Sequence, residues 1–126
     1  MDIALRFELN QIPEIHNKIY PTHAPEGDKG PYLVYIFSER PLKTLEGITL
    51  DNKADVLLNI FASSYKEMSI LRKKVKDIIK TFPLRSIGEG DVYVKDLTIE
   101  NITATHESEL GLYRGIIDFN LFYKGA

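Results

Sequence analysis

Between Leu112 and Tyr123 the chain alternates with a period of two. Ile117, Phe119, Leu121 and Tyr123 fall on one side, and Arg114, Ile116, Asp118, Asn120 and Phe122 on the other. Period two is the spacing of a β-strand. The first set is a core face; the second mixes a cation, an anion and an amide with two apolar residues. "KADVLLNIFA" shows a related pattern, with Ala54, Val56, Leu58 and Ile60 alternating with Asp55, Leu57, Asn59 and Phe61. In "YLVYIFSE" both alternating sets, Tyr32/Val34/Ile36 and Leu33/Tyr35/Phe37, are apolar, which predicts a strand covered on both faces.

A helical period governs "SSYKEMSILRKKVKDIIKTF". Tyr65, Met68, Leu71, Val75, Ile78, Ile79 and Phe82 recur at three and four residues. Ser64 with Glu67 reads as a capping box, and Pro83 as the stop. Leu5, Leu9 and Ile12 give a shorter helical stripe, with Asp2 as a candidate N-cap and Pro13 breaking it before a further turn in "PEIHNK". "IYPTHAPEGDKGPY" is proline-rich and predicts an extended loop. "RPLKTLEGITLDNK" reads as a hairpin-type connection with one turn at Gly47 and a second at Asp51–Asn52. "GDVYVKDLTIENITATHE" and the final strand flank an acidic turn that ends at Gly111. Strands come in runs and do not alternate with helices. The expected fold is therefore a single α+β domain over 1–126, a mainly antiparallel β-sheet with two α-helices packed on one face.

Composition narrows the function by exclusion. A chain of 126 residues buries roughly two thirds of its unfolded surface as one domain. A net charge of −2 does not mark the whole surface for nucleic acid. Without cysteine there are no disulfides, thiol nucleophiles or sulfur ligands for zinc. "MDIALRFELN" is too short and too charged for a signal peptide, and no apolar run approaches the roughly 20 residues of a membrane span. The expectation is a protein that acts in a cytoplasm or on something assembled there, with no membrane partner.

Candidate chemistry is sparse. His16, His23 and His106 are far apart; His23, Glu26 and Asp28 cluster in a predicted loop without a ligand spacing tied to a regular element, so a solvated loop is the plainer reading than a metal site. The two acids of "GEGD" would repel phosphate. No dinucleotide, P-loop, zinc-protease or serine-hydrolase motif occurs, no catalytic set is discernible, and no cofactor is expected. Arg72, Lys73, Lys74, Lys76 and Lys80 lie off the apolar stripe of their helix. They read first as its wet face, and alternatively as a patch for an acidic partner or a nucleic-acid backbone.

The order of smaller signals resembles a known family. "KIYPTHAP", "PYLVY", "TLEG", "ASSYKE" and "GLYRGIIDFNLFY" follow one another as in the tail-completion proteins of long-tailed phages and prophages, also called tail terminators or tail-to-head joining proteins. The matching positions run from about Leu5 to Tyr123. They are Tyr20, Pro21, Ala24 and Pro25; Pro31, Tyr32, Val34 and Tyr35; Thr44, Leu45 and Gly47; Ser64, Tyr65 and Glu67; and Gly111, Leu112, Tyr113, Arg114, Asp118, Phe119 and Tyr123. The chain departs from the pattern in its short, alanine-poor N-terminus and in His106 within the acidic turn. The resemblance implies a non-enzymatic virion protein, assembled in a host cytoplasm, that forms a ring of six copies at the head-facing end of the tail tube. Such a ring ends tube polymerisation and meets the head–tail connector, and DNA passes through it.

On that reading the mixed face would meet another subunit or the ring's channel. Asp55, Asn59, Arg114, Asp118 and Asn120 are the candidate interface or channel-lining residues. Arg114 and Asp118 share a face but stand roughly 13 Å apart along a strand, so each needs a partner on a neighbouring strand or on another chain. The plainer reading is the outer face of a half-wet sheet. Two rivals remain: a small ligand-binding or regulatory α+β domain with a pocket on its sheet, and a nucleic-acid binder using the basic helix, whose affinity would fall steeply with salt.

Overall fold

A computed structural model describes residues 1–43, 49–90 and 92–125. Helix α1 (Asp2–Leu9) leads through a 3₁₀ turn (Pro13–Ile15) to strand β1 (Ile19–Pro21). Then come β2 (Tyr32–Lys43), β3 (Thr49–Ala62), helix α2 (Tyr65–Ile79), β4 (Arg85–Ile87), β5 (Val92–Glu107) and β6 (Leu112–Gly125). One six-stranded sheet runs in the order β1-β2-β3-β6-β5-β4. The sheet is mixed: β1 pairs parallel to β2, and the other neighbours are antiparallel. The expectation of a mainly antiparallel sheet is corrected to that extent. A parallel partner needs a crossover, and residues 22–31, the proline-rich stretch between the two strands, carry the chain back so that β2 starts beside β1.

Both helices lie on one face. Ala4, Leu5 and Leu9 of α1 and Leu71, Val75 and Ile79 of α2 join Leu33, Tyr35, Val56, Leu58, Ile60, Ile117, Phe119, Leu121 and Tyr123 in one buried cluster. Burying each such side chain is worth about 1.5–3 kcal/mol, so this face dominates the stability of the domain. Gly115 lets α2 approach closely: a Cβ there would stand 2.6 Å from Met68 Sδ and 3.1 Å from Arg72 Cδ. The Arg72 guanidinium crosses above it to donate to the Thr103 carbonyl at 2.7 Å.

Helix α2 starts where its sequence predicts, with Ser64 Oγ accepting from the Glu67 N–H at 3.1 Å. Only this half of the capping box forms: the Glu67 carboxylate makes no bond back to Ser64 among the described residues. Tyr65, expected on its apolar stripe, is instead exposed and meets Tyr113 edge-on at 5.9 Å. Asp2 does not cap α1, which starts from Met1; its carboxylate accepts from the Tyr35 hydroxyl and ties the helix to the sheet. The turn expected at Asp51–Asn52 is absent. Both residues lie in β3, because the β2–β3 ladder carries its register on as far as Asn52↔Pro41 and Asp51↔Leu42. The turn at Gly47, with Thr44 and Leu45, lies outside the described residues.

Candidate functional site

Register fixes what the face away from the helices presents. Across β2, β3, β6 and β5 its rows read Val34–Asn59–Ile116–Thr103, Ile36–Leu57–Asp118–Asn101 and Ser38–Asp55–Asn120–Thr98. All five candidate residues are therefore on one surface, within adjoining rows or, for Arg114, one row beyond, opposite Phe61. The mixed pattern of β6 is repeated by the strands beside it.

The two ends of this face differ. At one end the loop after β1 folds over the sheet, and Gly30 makes the close approach possible. Its φ is +79° and a Cβ would stand 3.0 Å from the Phe61 carbonyl oxygen. Tyr32, Val34 and Leu112 form a second small core there, with Tyr20, Ala24 and Phe61 packed against it. Tyr32 and Phe61 stack at 4.8 Å. Burial, reinforced by the nearby Asp28 carboxylate, pushes the Tyr32 phenol above its usual pKa. Asp28 is itself used within the loop, accepting from Gly30 N–H at 2.9 Å and pairing with Lys18 at 3.5 Å. Among the described residues no group of three or more His, Asp or Glu side chains is placed to hold a metal ion, His23, Glu26 and Asp28 included.

Under that loop lies a cleft of about 370 Å³ lined by Ala24, Pro25, Tyr32, Val34, Phe61 and Leu110, with Arg114 and Asn59 at its polar side. Here Arg114 finds its partners inside the chain. Its Nε donates to Asn59 Oδ1 at 2.8 Å, and a terminal nitrogen pairs with Glu107 at 2.9 Å. Asn59 is only 4% exposed, and its Nδ2 donates to the Val34 carbonyl at 3.4 Å. A buried amide with both ends engaged is the state expected of a polar group in a core. Sequence reasoning named Arg114 and Asn59 separately; their pairing, and Glu107, emerge only from the register.

At the other end the face is open. A shallow depression of about 290 Å³ is lined by Ile36, Ser38, Asp55, Leu57 and Asp118. Ile36 is 49% exposed, so the expectation that β2 is covered on both faces holds only for its first half. Asp55 is held loosely by Arg40 at 3.5 Å, and Asn120 donates to Glu100 from the β5 bulge. The half-buried Asp118 has no ion pair or side-chain hydrogen bond among the described residues.

The basic helix is partly spent within the chain. Lys74 pairs with Glu14, which holds that carboxyl below its usual pKa, and Lys73 pairs with Asp77 at 3.0 Å. No helix among the described residues is long and apolar enough to cross a membrane.

No protein-family model matches the sequence, and no curated protein matches it. A solved structure does. A chain in the virion of a native gene transfer agent particle superposes with a TM-score of 0.62 at 11% identity, covering 97% of this chain and 85% of that one. What the two share is the fold.

Proposed function

We propose that this protein is a structural component of a phage-like virion. More specifically, it is a tail-terminator protein that forms a ring, of six copies, at the head-facing end of the tail tube. The ring halts tube growth and joins the tail to the head connector, with DNA passing through its centre. The observation that carries this reading is the fold shared over 97% of the chain with a chain of the gene transfer agent virion. It agrees with the ordered sequence signals from Tyr20 to Tyr123. The mixed face is compatible with it, because an interface combines half-buried apolar side chains with polar ones. Catalysis has no part in the reading, and neither does a cofactor.

One observation favours a different class. The cleft beneath the β1–β2 loop has a volume in the range of small-ligand sites and an apolar lining. Its cation, however, is already paired with Glu107, which weakens it as a receptor for an anionic ligand.

Negative-stain electron microscopy of the protein mixed with the tail tube protein of the same genome separates the two readings. Tubes capped at one end by a ring, and shortened as the protein is added, are the expected result. Uncapped tubes of unchanged length, with both proteins folded, would exclude the terminator role and direct attention to the cleft.

A further inference from the structure

Opposite sides of this molecule carry surfaces that fit each other. On the open half of the sheet, Ile36, Leu57 and Asp118 stand side by side in one row, with Asp55 in the next. Strands lie about 4.8 Å apart, so three of them make a strip roughly 10 Å across, the width of one helix. The strip is apolar along its floor and acidic at its side, and Asp118 has no cation in its own chain among the described residues.

The matching surface is the outer side of α2. Lys66, Ile70 and Lys73 follow one another at four and three residues, on the side away from the buried Met68, Leu71, Val75 and Ile79. Ile70 is 49% exposed, and Lys66 has no ion pair among the described residues. Lys73 shares Asp77 in full view of solvent, a contact of little strength. Seven residues of helix rise span about 10 Å. The stripe thus offers an apolar knob between two cations to a strip with an apolar floor and two anions. Asp118 is unpaired among the described residues, and Asp55 is held by Arg40 only at 3.5 Å in an exposed contact.

We infer that copies of this chain associate head to tail, the Lys66–Ile70–Lys73 stripe of α2 in one copy seating on the Ile36–Leu57–Asp118 strip of the next, with Asp55 beside it. The helix and the strip are on opposite faces of the sheet, so the contact is heterologous. A contact of that kind either closes into a ring or continues as a filament. The inference rests on the ring reading above and supplies its subunit contact. It also accounts for Asp118, which has no partner among the described residues of its own chain.

Two variants and their mixture test it. Asp118→Lys spoils the strip and leaves the helix intact; Ile70→Asp does the reverse. Sedimentation at about 1 mM, where even a millimolar contact is visible, should show the wild type as a ring. Each variant alone should be a folded monomer, with association weakened at least about 100-fold because like charges or a bare carboxylate now face the partner. Mixed one to one, they should form a dimer and nothing larger, since only one good contact can be made. Should Ile70→Asp fail to fold, Lys66→Glu with Lys73→Glu serves as the helix-side variant.

A wild type that remains monomeric at that concentration overturns the inference. So does a ring that tolerates both substitutions, or a mixture that gives no dimer. The two proposals fail separately. Rings that form through this contact but do not cap tubes remove the terminator role alone. Tubes capped equally well by both variants remove the contact alone.

Discussion

Arg114 and Asp118 lie on the same strand, on the same face, four residues apart, and the fold treats them differently. Arg114 sits where the β1–β2 loop closes over the sheet, and both of its acceptors come from neighbouring strands. Asp118 sits on the open part of the face, beside the exposed Ile36, and no group among the described residues answers its charge. A polar residue on a mixed sheet face is therefore not one kind of thing. Covered by the chain's own loop it completes a core. Left open, it is available to another molecule.

The largest expected effect concerns the side of β6 that both halves share. Phe119 is fully buried in the cluster on the helix side of the sheet, and Phe119→Ala should cost about 3–5 kcal/mol in a denaturant titration. Phe122, half-buried on the mixed face with Lys53 at 5.6 Å from its ring, should cost well under half as much when changed in the same way. Similar losses for the two would mean that the mixed face is as much a core as the helix face.

Arg114→Ala comes next. It leaves the 4%-exposed Asn59 without its acceptor-side partner and Glu107 without its cation, a loss of about 1–3 kcal/mol. Equilibrium unfolding in urea measures it. A loss below about 0.5 kcal/mol would show Arg114 to be a surface residue and erase its contrast with Asp118.

These contrasts mark the limit of what could be read along the chain. The core set of β6, the α2 stripe from Met68 to Ile79 and the Ser64 cap follow from local period and local hydrogen bonding and stand in the fold as the sequence predicts, with Tyr65 alone left exposed at the start of the stripe. Strands β1 and β4 have three residues each, too few to show a period inside turn-rich stretches, and the mixed character of the sheet was hidden with β1. Asp51–Asn52 carries a turn signal that the β2–β3 ladder overrides, since register is set by the alternating core residues along both strands. The Asn59–Arg114 bond joins residues 55 positions apart. Nothing local encodes it; it follows only once Asn59 pairs with Ile116, which places Arg114 diagonally across the strands.

Tyr35 gives a smaller effect on the helix face, and it depends on pH. Burial, together with the hydrogen bond to Asp2, pushes its phenol up to about 12. The neutral form is the one the fold favours, so its contribution is fully present below the unfolded phenol value near 10 and is lost as pH rises towards 12. Tyr35→Phe should flatten part of the alkaline loss of stability over that window; Tyr32, whose phenol is raised in the same direction, contributes to what is left. Melting curves between about pH 9 and pH 12 would show it. An unchanged alkaline limb in the variant would mean that Asp2 and Tyr35 do not hold α1 to the sheet in solution.

Asp118→Asn should have the smallest effect on the folded monomer and is the most informative for that reason. It keeps the shape of the side chain and removes a charge that has no partner within the chain among the described residues. The expected change in unfolding free energy is within about 0.5 kcal/mol, the range of a surface substitution. Association between copies should nevertheless weaken by roughly tenfold, because one of the two anions facing Lys66 and Lys73 has gone. The pairing of these two results matters more than either alone. A stable monomer with weakened assembly assigns Asp118 to a contact outside its own chain. A monomer destabilised by more than about 1 kcal/mol would instead give it a structural part like that of Arg114, and the two ends of the face would no longer differ in kind.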